Sequence, residues 1–283
     1  LRDGKLIGTE STGNLDSASL VRMMFGNVQH SAKTQCYATE RIMLEVSHLK
    51  NKKLHDVSLT LREGEVLGIA GMLGSGRTEL LRAIYGLDPI EAGTVTVWGE
   101  KICCPRPDQM KRRGLAFTSE NRKDEGLCLR MSIGDNLLLA NYENIAPRGR
   151  VEKKLEWEYI QRQIDGLSIK CADVKLPASS LSGGNQQKLV VGNWLNTVPR
   201  ILLMDEPSRG IDVHAKQQIF NVIWDEAQKG VSTIMVSSEL DELLEVCDRI
   251  LIMRQGHIRE ERKASELTTE SIYALCMQED ESE

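Results

Sequence analysis

Short apolar runs alternate with helical patterns along most of this chain, and that alternation limits the folds it can adopt. Five runs have the length of a buried strand: EVLGIA (65–70), LAFTS (115–119), ILLMD (201–205), STIMVS (232–237) and RILIM (249–253). Helical patterns at about 77–86, 212–229 and 239–247 lie among them. Because strands that are apolar throughout must be covered on both faces, the pattern predicts an α/β protein with a mostly parallel central sheet.

Two further patterns predict different local structure. Val57, Leu59 and Leu61 alternate with polar residues, and TVTVW (94–98) does the same, so both segments are expected to be half-exposed strands. Residues 132–167 have little strand propensity and are expected to form polar, amphipathic helices.

Composition excludes several classes of protein. The chain has 36 basic and 41 acidic residues and a net charge of -5, which argues against nucleic acid as a partner, so any phosphate binding must be local. A hydrophobic content of 41% excludes a disordered chain. No apolar run approaches the roughly 18 residues of a membrane span, so peripheral membrane contact is expected. The seven scattered cysteines are expected to be reduced thiols in a cytosol.

The two ends of the chain resemble each other. A shift of 252 residues aligns LRDGKLIGTE (1–10) with MRQGHIREER (253–262), and SASLVRMMFG (17–26) with TESIYALCMQ (269–278). Each end predicts a strand, a tight turn, a strand and a short helix. Two chance hairpins would explain the turns, but the helix at the same offset favours a duplicated domain.

This duplication suggests domain boundaries. The expected organisation is a remnant of a preceding domain at 1–30, a linker at 31–41, a domain at 42–278 and an acidic tail at 279–283.

A phosphate-loop pattern, G-x-x-x-x-G-K-[ST], is matched at all but one position by Gly71-Met72-Leu73-Gly74-Ser75-Gly76-Arg77-Thr78. The segment follows a predicted strand and opens a predicted helix. Glycines let backbone N–H groups converge on phosphate oxygens, and the Thr78 hydroxyl would hold Mg²⁺. Arg77 stands in place of lysine and keeps its charge, but its side chain is longer, planar and forked. A purely structural glycine turn remains the alternative.

Two later segments carry compatible chemistry. LSGGNQQ (181–187) begins an amphipathic helix, whose N–H groups and Ser182 hydroxyl either hold an anion or simply cap the helix. ILLMDEP (201–207) ends a strand with Asp205, which can hold hydrated Mg²⁺, and Glu206, which can orient or deprotonate water. The three motifs in this order are far more specific than any one of them.

With these motifs, residues 42 to about 262 resemble the nucleotide-binding domain of an ATP-binding cassette (ABC) transporter. The chain is most similar to the second domain of the tandem ATPases of bacterial ribose-, galactose- and xylose-type importers. The shared segments are GxxGxGRTEL (71–80), SENRKDEGL (119–127), LSGGNQQK (181–188), DEPSRGIDV (205–213) and VSSEL (236–240). The resemblance implies a P-loop NTPase fold of the ABC type, with an antiparallel β subdomain and a helical signature subdomain at about 121–195.

The resemblance also implies roles for individual residues. Residues 71–78 would wrap the ATP phosphates, Thr78 and Asp205 would serve Mg²⁺, and Glu206 would be the base that polarises water. A signature loop formed by Ser182, Gly183, Gly184 and Asn185 would close on ATP held by a partner domain. The segment Gly210-Ile211-Asp212 would lie at that dimer interface, although Asp212 is equally compatible with an ordinary helix cap.

Three departures from the family pattern fall on one site. Besides Arg77, Glu120 replaces the glutamine that senses the γ-phosphate, and Ser238 replaces the switch histidine. A carboxylate at 120 would repel a γ-phosphate, and serine cannot shuttle a proton as imidazole does. ATP in this domain is therefore expected to be bound but hydrolysed slowly. No adenine-stacking aromatic residue is evident; residues 45–55 offer only His48 and His55, and neither is assigned.

The implied function is ATP hydrolysis that energises sugar import. Its partners would be the first nucleotide-binding domain of the same polypeptide, the transmembrane permease subunits and, indirectly, a sugar-binding protein, with the chain at the cytoplasmic side of a bacterial membrane. Residues 122–125 would be permease-interface charges or a solvated loop.

Two alternatives stay open at this point. In the first, the domain is a regulatory clamp that binds nucleotide without turning it over. The second, an ABC ATPase of DNA repair or translation, is disfavoured because the chain lacks the usual long coiled-coil insertions and basic tracts.

Overall fold

A six-stranded sheet forms the centre of the computed structural model, which describes Thr9 and residues 35–147 and 149–278. In spatial order its strands are β10 (His257–Lys263), β9 (Arg249–Arg254), β3 (Val66–Ala70), β8 (Ser232–Val236), β7 (Ile201–Asp205) and β6 (Leu115–Thr118). All pairs are parallel except β10 with β9. Every residue of β3, β7 and β8 is buried, as expected for strands covered on both faces. The predicted mostly parallel sheet is confirmed.

A second sheet is antiparallel. Its order is β2 (Val57–Arg62), β1 (Ile42–Lys50), β4 (Ala92–Val97) and β5 (Glu100–Ile102). Inward and outward positions alternate along β2, as the sequence pattern predicts. The sequence did not reveal β5, because three residues are too few to show a period.

The helices follow the strands along the chain. They are α1 (Arg77–Tyr85), α2 (Pro107–Arg112), α3 (Ile133–Leu138), α4 (Tyr142–Ile145), α5 (Lys153–Gly166), α6 (Gly183–Leu195), α7 (Val213–Gln228), α8 (Leu240–Val246) and α9 (Thr269–Met277). The helices predicted from about 77, 212 and 239 are confirmed within two residues. No sequence pattern indicated α2, because this helix spans fewer than two turns. In the described residues, no helix is both long and apolar enough to cross a membrane.

Three apolar cores divide the molecule. Leu80, Leu81 and Ile84 of α1 pack with both sheets, and Ile219 and Phe220 of α7 pack on the opposite face of the central sheet. The third core joins α3, α5 and α6 with one another. The helices between residues 133 and 195 therefore surround an interior of their own.

The end of the described chain forms the predicted strand, turn, strand and helix. A turn at Gln255 (φ 45°) and Gly256 (φ 76°) joins β9 to β10, and α9 follows. The matching segments at 1–10 and 17–26 lie outside the described residues apart from Thr9. The amide of Gly256 donates to the Ser75 carbonyl over 2.8 Å, and a Cβ atom at 256 would lie 2.1 Å from the Lys53 carbonyl oxygen. Glycine is therefore required where this turn supports the phosphate loop.

A buried ion pair joins the two sheets. Arg249 of β9 donates from Nε to Glu65 Oε1 over 2.7 Å and from Nη2 to the Thr60 carbonyl of β2 over 2.7 Å. Glu65 is 2% exposed, and its other oxygen accepts from the Arg62 amide. Arg249 also pairs with the exposed Glu261 over 2.7 Å, so Glu65 is its buried partner and Arg249 compensates the lost hydration of Glu65.

We expect Glu65→Ala to lower the free energy of unfolding by about 3 kcal/mol, because it leaves the Arg249 charge buried without its main partner. The matched control is Glu63→Ala, which removes the partially exposed pair with Arg41 (3.6 Å) and should cost about 1 kcal/mol or less. Urea denaturation measures both. Equal losses would contradict the assignment of Arg249–Glu65 as the structural pair.

Candidate functional site

The predicted phosphate loop connects β3 to α1 and needs its glycines. Gly74 (φ 81°) and Gly76 (φ 102°) adopt the left-handed region that disfavours other residues. A Cβ atom at Gly71 would lie 2.4 Å from Ser75 Oγ and 2.5 Å from the Met253 carbonyl oxygen. The loop is closed by a 3.0 Å hydrogen bond from the Ser75 amide to the Met72 carbonyl. Its shape therefore depends on its glycines and on contacts with the segment between β9 and β10.

Arg77 points into the protein. The residue is 9% exposed, and its Nη1 donates to the Ser237 carbonyl over 2.9 Å. One guanidinium nitrogen is thus committed to the backbone that follows β8. This contact joins the start of α1 to a loop 160 residues later in the chain.

Asp205 lies at the end of β7 and is 1% exposed. Neither carboxylate oxygen has a well-aligned hydrogen bond in the structure. Burial raises the pKa of Asp205 to about 6, with Glu206 acting in the same direction and the Thr78 hydroxyl and Arg77 charge acting in the opposite one. A buried carboxylate with so few donors fits a cation, and an oxygen donor set of Asp205 with Thr78 suits Mg²⁺.

Glu206 follows in a strained conformation and meets Ser238. Its φ of 50° is unusual for a residue with a side chain, and its amide donates to the Val236 carbonyl over 2.9 Å. The Ser238 hydroxyl donates to Glu206 Oε2 over 3.0 Å. Ser238, identified from sequence only as a departure from histidine, therefore orients the carboxylate next to it.

Glu242 is a residue of this region that sequence reasoning missed. It lies on α8, is 2% exposed, and its Oε2 accepts hydroxyl hydrogen bonds from Ser208 (2.5 Å) and Ser237 (2.7 Å). Lys216 lies 3.0 Å from its Oε1. Burial raises the pKa of Glu242, and its hydroxyl and lysine partners oppose that rise. The carboxylate fastens the loop after β7 to the loop after β8, and nothing in the local sequence distinguishes it from its acidic neighbours.

The carboxylate of Glu120 has a counter-charge nearby. It forms an ion pair with Arg209, and Arg122 donates to the carbonyls of Arg209 (2.6 Å) and Gly210 (3.2 Å). The segment after β6 is therefore bonded to the segment after Glu206. The counter-charge of Arg209 offsets the repulsion of a phosphate that a lone carboxylate at 120 would exert.

The predicted signature loop begins α6 and uses its side chains locally. Ser182 is the N-cap of α6 and accepts from the Asn185 side-chain amide over 3.0 Å, while Asn185 Oδ1 accepts from the Lys170 amide over 3.0 Å. A Cβ atom at Gly184 would lie 2.5 Å from Ala215 Cβ, so the close packing of α6 on α7 requires glycine there.

Asp212 caps α7, and Gly183 adjoins Arg122. Asp212 accepts from the Ala215 amide over 2.9 Å, and a Cβ atom at Gly183 would lie 3.0 Å from Arg122 Nη2. Ser182 and Asp212 are therefore the helix caps that the sequence allowed. The contacts just described join the signature loop to the Lys170 amide, to α7 and to the segments around Arg122 and Gly210. Thr78, Asp205, Glu206 and Ser238 instead gather around the phosphate loop.

We expect Asp205→Asn to stabilise the protein without ligands by about 3 kcal/mol at pH 7.5, because the pKa rise from 3.8 to about 6 makes the buried charge unfavourable. The folded state holds its proton to higher pH than the unfolded state, so the penalty is complete above pH 6 and disappears towards pH 3.8. The gain should fall to about half at pH 5.

Chemical denaturation at the two pH values measures the effect of Asp205→Asn, with the exposed Asp225→Asn as control. A loss of stability for Asp205→Asn at pH 7.5 would contradict the interpretation of this carboxylate as a destabilising, unsatisfied charge.

Several known proteins are similar to this chain in sequence and fold. The family model described as ABC transporter matches residues 54–209. The ribose import ATP-binding protein RbsA of Bacillus licheniformis is 38% identical over 282 residues, which cover 98% of this chain and 56% of that protein. An uncharacterized ABC transporter ATP-binding protein, YphE, of Escherichia coli is 40% identical over 97% of this chain and 55% of its own length. The chain thus spans about half the length of these relatives.

Solved structures share the fold. A nucleotide-free ATP-binding cassette from an ABC transporter superposes with a TM-score of 0.70 at 22% identity, over 84% of this chain and 96% of the other. A cassette in its ADP conformation gives a TM-score of 0.67 at 24% identity, over 83% and 94%. Because the ABC transporter family model matches more than half of this chain, the chain belongs to the ABC transporter family.

Proposed function

We propose that this chain binds and hydrolyses ATP to energise the import of a sugar, with ribose as the first candidate. The observation that carries the proposal is the carboxylate of Asp205, which is buried and poorly satisfied at the end of β7. It lies beside Thr78, which belongs to the first turn of the helix that follows a glycine-rich loop. The names of the relatives, ribose import ATP-binding proteins among them, support the choice of sugar.

In this proposal the phosphates of ATP lie on residues 71–78. Backbone N–H groups of the loop and the N-terminus of α1 would face the phosphate oxygens. A Cβ atom at Gly74 would lie in open space, whereas Cβ atoms at Gly71 and Gly76 would crowd the protein around the loop. Thr78 and Asp205 would hold Mg²⁺, which when bound neutralises charge on the β- and γ-phosphates.

Glu206 is the proposed base. Attack of water on the γ-phosphorus forms a P–O bond, breaks the bond to the oxygen that leaves with ADP, and releases a proton that the Glu206 carboxylate can accept. The Ser238 hydroxyl holds one oxygen of that carboxylate and leaves the other for water. Ser238 donates one hydrogen bond but carries no positive charge, which fits slower turnover than with a histidine at this position.

The signature loop is proposed to act on a different nucleotide. The N-terminus of α6, with Ser182, Gly183, Gly184 and Asn185, would close on ATP held by another nucleotide-binding domain, with Asp212 at that interface. The match to about half of each relative supports a tandem arrangement, in which residues 1–30 are a remnant of the first domain, 31–41 a linker and 42–278 the second domain.

Permease subunits are the proposed membrane partners, and a sugar-binding protein would act through them. The segment after β6, within a helical subdomain at about 121–195, would receive the permease at the cytoplasmic face of the membrane. The bonds from Arg122 to the carbonyls of Arg209 and Gly210 would connect that segment to the dimer interface.

A second candidate function is a regulatory clamp that binds nucleotide without hydrolysing it at its own site. The observation that favours it is the hydrogen bond from Arg77 to the Ser237 carbonyl, which occupies one nitrogen of the cation expected at the phosphates. A clamp would still supply its signature loop to its partner.

Steady-state ATPase of the assembly with its permease tests these functions. We expect Ser182→Arg to lower the rate at least tenfold, because a long cation at the N-terminus of α6 blocks the anion site. The control Ser179→Arg adds the same charge at an exposed position three residues earlier and should leave the rate within about twofold.

Glu206→Gln decides between own-site hydrolysis and a clamp. A loss of half the rate or more means that this site hydrolyses ATP, and a normal rate means that it is a clamp. Normal rates in both Ser182→Arg and Glu206→Gln would reject both functions.

A further inference from the structure

We propose that Ser119, which directly follows β6, is part of the metal and γ-phosphate site. In this proposal Ser119 performs the sensing role that the family pattern gives to position 120, because Glu120 is paired with Arg209. This inference rests on the proposed ATP binding and names one further residue that recognises the Mg²⁺ complex of ATP. It is carried by three observations about Ser119 and its neighbours.

The first observation is the register of two strands. β6 and β7 are parallel, and Leu115 to Thr118 lie opposite Ile201 to Met204 in sequence. The next positions on the two strands are Ser119 and Asp205. Adjacent strands lie about 4.8 Å apart, so continuing this register one residue past the end of β6 places Ser119 beside Asp205, at the edge of the sheet where the phosphate loop lies.

The second observation is the face on which these side chains lie. Leu115, Phe117 and Leu203 belong to the core shared with α1, whereas Ala116 and Met204 belong to the core on the opposite face. Successive side chains in a strand alternate between faces. Ser119 and Asp205 therefore fall on the face of α1, whose second residue is Thr78, and Thr118 falls on the other.

The third observation is a group of polar atoms that lack partners. Ser119 Oγ, Ser75 Oγ and both carboxylate oxygens of Asp205 are buried, and none has a well-aligned hydrogen bond in the described structure. Proteins rarely leave such atoms unsatisfied, and several in one place indicate a shared missing ligand. A hydrated divalent cation on a nucleotide phosphate provides water and oxygen atoms to the hydroxyls and positive charge to the carboxylate.

Glu120 is poorly placed for the same task. Its carboxylate is paired with the Arg209 side chain, and the Arg209 carbonyl accepts a hydrogen bond from the Arg122 guanidinium. A hydroxyl, unlike a carboxylate, can donate to a phosphate oxygen and accept from a metal-bound water. Ser119 thus offers the chemistry of an uncharged sensor one residue earlier in the chain.

The test is the gain in ATP affinity that Mg²⁺ produces in this 283-residue chain. The dissociation constant of ATP is measured by calorimetry with Mg²⁺ and with EDTA, for the wild type, Ser119→Ala, Ser119→Thr, Thr118→Val and Glu120→Gln. We expect Ser119→Ala to reduce the Mg²⁺-dependent gain about five- to tenfold, which corresponds to one hydrogen bond, and to change affinity in EDTA less than twofold.

The other variants make the result specific. Ser119→Thr keeps the hydroxyl and should retain the gain. Thr118→Val removes an equally buried, unsatisfied hydroxyl from the opposite face and should behave as the wild type. Thermal melting confirms that each variant is folded before its affinity is compared.

Failure of this inference differs from failure of the proposed function. If the wild type gains affinity from Mg²⁺ and Ser119→Ala gains as much, or if Glu120→Gln loses the gain instead, the assignment of Ser119 is overturned and the ATP site stands. A wild type that binds no ATP with Mg²⁺ overturns both.

Discussion

The parallel direction of β3, β8 and β7 is the constraint on which the site depends. Three neighbouring strands that point the same way release their following loops at one edge of the sheet, whatever the distance between them in sequence. The glycine-rich loop, the acidic pair and the serine pair at 237–238 are those three loops. Their proximity is thus a consequence of strand order, and the side-chain contacts only refine it.

Buried carboxylates in this region differ in how completely their oxygen atoms are paired. Glu65 and Arg249 pair with each other and join the two sheets. Glu242 accepts from two hydroxyls through Oε2, and the Lys216 ammonium lies 3.0 Å from its Oε1. Asp205 has no comparable set of donors. The structural carboxylates Glu65 and Glu242 therefore have charged or hydroxyl partners, whereas the carboxylate of Asp205, which faces the phosphate loop, does not. This pattern is expected where a ligand supplies the missing partners.

Sequence patterns predicted the fold well and the site in part. The apolar runs identified five strands of the central sheet, because full burial leaves a continuous apolar signature, and the caps at Ser182 and Asp212 were recognisable because they act within one helical turn. The contacts of Arg77 with Ser237, of Ser238 with Glu206 and of Glu120 with Arg209 could not be predicted. Each joins residues more than thirty positions apart, and neither partner carries a local signal that identifies the other.

Strand order also dictates when the phosphate loop can form during synthesis. β3, which leads into this loop, has β8 and β9 as its two neighbours, and both belong to the last fifth of the chain. The amide that supports Ser75 comes from Gly256, later still. The glycine-rich segment would thus leave the ribosome before the strands that flank β3 have been synthesised. β3 would stay unpaired until roughly 180 further residues have been added. Slow or interrupted translation in that interval would leave an apolar strand available to chaperones or to aggregation.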